Sequence, residues 1–126
     1  MNTFSQLKKL AKNDFPELPK VKVALLGDTA TQFLAISIKG EGKARGYNID
    51  LYEADYNQIE RQILDPSSEL YEFNADFIII FHSSHKLGEI HSQLSIEKQS
   101  SIIGEAWRCI SFFHSFFRKW RLFLDW

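Results

Sequence analysis

The chain has 126 residues, 44% of them apolar and 25% charged, which is one domain's worth of sequence with a core of its own and leaves no room in this stretch for a multidomain enzyme. Lys+Arg 15 against Asp+Glu 16 gives a formal net charge of -1, which removes the basic excess needed to bind nucleic acid or an anionic membrane through the whole surface. A mean hydropathy of -0.24 argues against both a membrane-embedded and a disordered chain.

In chain order, Phe4, Leu7 and Leu10 recur at helical spacing and predict an N-terminal helix, which Pro16 and Pro19 separate from the next element. The start mixes Lys and Gln into an amphipathic pattern that does not resemble a signal peptide. The single Cys109 cannot close an intrachain disulfide, so the expected location is cytoplasmic. Val21, Val23, Ala24, Leu25 and Leu26 form a β-rich run that stops at Gly27-Asp28, the pattern of a buried strand meeting a turn. Thr29 and Gln32 stand at capping-box spacing and predict that a helix opens there, with Phe33, Leu34, Ile36 and Ile38 on its apolar side and Gly40, Gly42 and Gly46 at its fraying end. Residues 48–54 alternate in part and predict a second strand, ending at Asp55-Tyr56-Asn57. Residues 58–64 and 68–73 predict short helices on either side of Pro66. The continuous apolar run from 77 to 81 predicts a third strand covered on both faces, ending at His82-Ser83-Ser84-His85. Strands alternating with helices predict a small parallel α/β sheet in three layers, Rossmann- or flavodoxin-like, with the first strand central and three strands visible.

The tail from 95 to 126 is dense in aromatics: eight lie after Glu105. Ile103, Trp107, Ile110, Phe113 (or His114), Phe117, Trp120 and Leu124 make one helical stripe, and Cys109, Phe112, Phe116, Phe123 and Trp126 a second beside it. Such a helix is apolar over most of its circumference and predicts either a core helix on the sheet or a surface for a partner or a second copy. The apolar run from Cys109 to Phe117 is far shorter than the ~20 residues a bilayer requires, so no spanning segment is expected.

Ligands on open parallel sheets bind outside the carboxyl ends of the strands, where strand order reverses. Asp28 and Thr29 sit at a strand-to-helix turn whose free N–H groups would hold an anion or an oxyanion, and Thr29 could equally cap its helix. His82 or His85 could act as general base on the Thr29 hydroxyl, or stand as solvated loop residues. Asp55 and Asn57 could orient a ligand hydroxyl or phosphate, or make a turn of their own. His82, His85 and His91 have no Cys partners and no ligand spacing, and Gly27 stands alone, so neither a metal nor a phosphate-loop cofactor is expected.

Three segments together resemble a known family. Residues 23–32 (VALLGDTATQ), 53–58 (EADYNQ) and 76–83 (DFIIIFHS) look like the amino-terminal domain of FkbH-like proteins, over roughly residues 1–94, with 95–126 as a helical tail that joins the same unit or forms an interface. The resemblance implies an SGNH (GDSL-type) hydrolase-like fold standing before a HAD-type domain, in systems that load a glyceryl unit derived from phosphoglycerate onto an acyl carrier protein or serve polyketide and surface-polysaccharide pathways. With the strand-end residues, it gives a candidate ligand-binding set of Gly27, Asp28, Thr29, Gln32, Asp55, Asn57, His82 and Ser83, with Asp28, Thr29 and His82 as the catalytic candidates. Gly27-Asp28-Thr29 matches the Gly-Asp-Ser block with Thr in place of Ser, and the third-strand loop lacks the Gly-x-Asn-Asp pattern. No Asp-x-x-His follows, and no Asp-x-Asp-x-Thr of a HAD domain occurs. The expectation is therefore a binding module for a small phosphorylated or acyl substrate, an acyl carrier protein or a HAD-type domain, in a truncated or frame-shifted relative. The rivals are a minimal esterase or acyltransferase with Thr29 as nucleophile, and a homo-oligomer formed through the tail.

Overall fold

Residues 1–99 and 122–123 are described by the computed structural model. β1 (Lys20–Gly27) is buried from Val23 onward, as its unbroken apolar stretch requires. It pairs in parallel with β2 (Asn48–Glu53) on one side and β3 (Phe77–Phe81) on the other. The two-residue β4 (Leu122–Phe123) pairs in parallel with Ile78 and Ile79, so the sheet order is β2-β1-β3-β4 and β1 is interior.

Partners across a parallel ladder point to the same side, so the register sorts the sheet into two faces. Ala24 and Leu26 with Ile78 and Ile80 face a core completed by Ala54, Ile59, Ile63, Leu70 and Ala75, which come from or flank α3 (Ile59–Leu64) and α4 (Glu69–Phe73). Val23 and Leu25, with Leu51 beside them, form the opposite face, which carries α2 (Gln32–Ala44). There Gly42 lies so close to Ile49 that a Cβ would overlap its side chain. α1 (Phe4–Lys12) begins with a capping box between Thr3 and Gln6 and lies on α2. The Lys43 ammonium donates to the Ala11 and Asn13 carbonyls at its end, and the Phe4 and Phe33 rings meet edge to face at 5.5 Å. α5 (Ser84–Gln93) and α6 (Ile96–Gln99) follow β3.

Four expectations are corrected. The Thr29–Gln32 capping box does not form: α2 starts at Gln32 with Thr31 as N-cap, and the Thr31 hydroxyl donates to Glu53 Oε1 at 2.6 Å instead of to its own helix. Gly40 and Gly42 lie inside α2, because two neighbours approach too closely for a side chain, and the turn comes at Gly46 with φ 86°. The sheet has a fourth strand where the aromatic stripe predicted helix: Leu122 and Phe123 are extended, and the rest of that stripe lies outside the described residues. β3 is buried at Ile78 and Ile80 but only half-buried at Phe77 and Ile79 and exposed at Phe81, so its cover is uneven.

The corner between α3 and α4 is fixed by polar groups. Gln62 is buried; its Nε2 donates to Glu69 Oε2 at 2.7 Å and its Oε1 accepts the Leu70 N–H at 3.0 Å. The Ser68 hydroxyl donates to the Gln62 carbonyl and the Tyr71 hydroxyl to the Ile63 carbonyl, each at 2.6 Å. Glu69's own backbone N–H, the Gln62 amide and the Arg61 guanidinium hold the Glu69 carboxyl below the usual carboxylate range, and the Ser67 hydroxyl and N–H do the same for Asp65. A carboxyl lowered in the folded state stabilises the fold above its unfolded value and loses that contribution as pH falls through its folded value. The fold should therefore weaken as pH drops below about 4. In acid titrations followed by far-UV circular dichroism, Glu69→Gln should flatten this dependence; an unchanged profile would show that Glu69 carries none of it.

Candidate functional site

The carboxyl ends of β1, β2 and β3 bring three loops to one edge of the sheet. After β1, the Asp28 carboxylate is buried with 10% of its side chain exposed. Its Oδ1 accepts the Ser83 N–H at 2.9 Å, and its Oδ2 lies 3.3 Å from His82 Nδ1. The Asp28 N–H, expected to be free for an anion, donates to the Phe81 carbonyl at 3.3 Å. Beyond β2, Asn57 adopts a left-handed conformation (φ 57°) and its N–H donates to the Gly27 carbonyl at 3.1 Å, so Asn57 makes the turn that ties this loop to the end of β1.

Between the loops after β1 and β2 lies an open cleft of about 310 Å³. Thr29, Thr31 and Gln32 form one wall, and Glu53, Asp55 and Tyr56 the other. The Thr31–Glu53 hydrogen bond joins the two walls. The Thr29 hydroxyl has no hydrogen-bond partner among the described residues, so it is available to a ligand. Tyr56 is largely exposed, and the Lys86 ammonium from the first turn of α5 stands 4.5 Å from its ring centroid, a cation–π contact at the rim. The lining thus offers hydroxyls, an amide and two carboxylates, with one cation at the edge.

The predicted residues fall into two groups. Thr29, Gln32 and Asp55 share the cleft, whereas Asp28, His82 and Ser83 form a separate clasp across the β1 and β3 loops. Gly27 and Asn57 link them through backbone. His85 is exposed and faces Glu89 at 3.5 Å. Thr31, Glu53, Tyr56 and Lys86 were not foreseen; for Glu53 a signal existed, since it closes β2 beside Leu25 at the same sheet edge. Among the described residues, no group of three or more His, Cys, Asp or Glu is placed to hold a metal ion, and no helix is long and apolar enough to cross a membrane.

Residues 22–122 match the family model described as FkbH, N-terminal domain. The match leaves α1 outside and runs well past residue 94, where the residue-level resemblance thins, to the first residue of β4. In structure the chain is similar to the N-terminal part of a Bacteroides fragilis protein containing a phosphatase domain, crystallised as a complex with Mg. The TM-score is 0.87 at 51% sequence identity, covering 91% of this chain and 31% of that one. The chain therefore spans about a third of that neighbour. No curated protein matches it in sequence.

Proposed function

The chain belongs to the FkbH N-terminal domain family, and from that premise we propose that it is the ligand-holding module of an FkbH-like protein, with the transfer chemistry carried by a HAD-type phosphatase domain. The phosphatase domain of the structural neighbour supports such a partner. The observation that carries the reading is the cleft at the carboxyl ends of β1 and β2, where the Thr29 hydroxyl stands unpartnered beside Gln32 and Asp55. A small phosphorylated or acyl substrate, free or on an acyl carrier protein, would enter with its hydroxyl or acyl end inward. Glu53 and Asp55 repel a phosphate in the depth of the cleft, so the phosphate stays at the rim near Lys86. The Gly27-Asp28-Thr29 turn supports an SGNH-like ancestry. The pairing of β4 with β3 supports reading residues 1–94 and the tail as one unit.

Calorimetric titration with glycerate and with 3-phosphoglycerate tests this. Thr29→Ala and Gln32→Ala should each weaken binding by about 3- to 10-fold, the value of one net hydrogen bond. Absence of saturable binding, or affinities that ignore both variants, would overturn it. The esterase reading instead requires hydrolysis of an activated ester that disappears in Thr29→Ala.

A further inference from the structure

The clasp beside the cleft has a chemistry that ligand holding does not use. We infer that Asp28 and His82 form an acid–base dyad that activates water at the switch point between β1 and β3, with Asp28 as positioning residue and His82 Nε2 as the proton-transferring atom. A carboxylate can only accept, so the His82 nitrogen 3.3 Å from Asp28 Oδ2 is the protonated one, and the neutral ring carries its proton on Nδ1. Nε2 is then a lone-pair base. It makes no hydrogen bond among the described residues, on a side chain 39% exposed at the ligand edge of the sheet. Asp28 cannot turn away, because its other oxygen is held by the Ser83 N–H at 2.9 Å. This is the base-and-orienter half of a hydrolytic triad with no protein nucleophile attached: among the described residues, neither imidazole nitrogen bonds the Thr29 hydroxyl.

The substrate class assigned to this base is a small ester, whose hydrolysis requires only a water molecule and a proton acceptor. Nε2 takes a proton from a water molecule while that water's oxygen bonds to the ester carbonyl carbon, and the carbonyl π pair moves onto its oxygen. The pair then returns, the bond to the alcohol breaks, and the proton on Nε2 passes to the leaving oxygen or to solvent. His82 does not line the cleft, so this inference stands or falls apart from the ligand-holding reading.

The test uses p-nitrophenyl acetate as probe, with the tautomer of His82 read from long-range 15N–1H NMR spectra of the whole chain. His82 should show the Nδ1–H tautomer. His82→Gln should lower the rate above buffer by about 10²-fold, the low end of general-base catalysis, whereas His85→Gln, at an exposed position facing Glu89, should leave it unchanged. Asp28→Asn is nearly isosteric and gives the sharper result. Its amide oxygen stays on the Ser83 N–H, which turns the NH₂ toward Nδ1 and forces the proton onto Nε2, so the rate should fall as in His82→Gln while the fold persists. A purely structural clasp would leave the ester rate unmoved. An Nε2–H tautomer in the unmodified chain, a rate indifferent to His82→Gln, or full activity in Asp28→Asn with a flipped tautomer would each overturn the inference.

Discussion

Gly40→Val should unseat α1 and cost the fold about 3 kcal/mol, the upper end of what overpacking a tight contact does. A Cβ at this position falls within the Leu7 carbonyl group of α1, and a helix backbone cannot step aside as a flexible side chain can. The contacts released with it include the Phe4–Phe33 pair and the Lys43 bonds to the end of α1. Urea unfolding should show the loss of stability, and limited proteolysis should show new cleavage between α1 and β1. Gly46→Ala is the control: it meets open space, and its φ of 86° should cost only about 1 kcal/mol. Equal losses in the two variants, or stability in Gly40→Val within about 0.5 kcal/mol of the parent, would mean that α1 is not docked as described. The result matters for the family as well, because α1 lies outside the matched residues and yet determines what α2 carries at position 40.

Ile63→Ala should cost about 2–5 kcal/mol, whereas Leu64→Ala, one residue along the same helix, should stay within about 0.5 kcal/mol. Ile63 is wholly buried in the core between α3, α4 and the sheet, and Leu64 is 50% exposed. Chemical denaturation of both variants separates them directly. Comparable costs would place the α3 face differently from the arrangement described. Since the cleft wall from Glu53 to Tyr56 runs into α3, a loosened Ile63 site should also reduce ligand binding through the cleft, whereas Leu64→Ala should not.

What was legible in the sequence was local. The β-branched and apolar runs at β1, β2 and β3 announce themselves by composition and period, and the loops that end them fall at the ligand edge because parallel topology leaves no alternative. What was not legible depends on contacts made across the chain. Thr31 is drawn from helix capping by Glu53, 22 residues away, which no local pattern contains. Gly40 and Gly42 look like helix breakers until Leu7 and Ile49 are seen to press against them. Phe123 fits an apolar helical stripe as well as it fits a strand, and only the edge of β3 decides between the two. At the site, the strand-end rule found Asp28 and His82 but not their contact across 54 residues, and it grouped them with Thr29, which the fold turns into a different recess.

Whether the cleft is the ligand site can be read residue by residue from the backbone amide spectrum of 15N-labelled chain titrated with 3-phosphoglycerate. Saturable shifts confined to residues 29–32 and 53–56, with Lys86 following them at the rim, are the predicted result. Shifts that gather at the clasp or on the α1–α2 surface while those two segments stay still would contradict the assignment of ligand holding to this cleft.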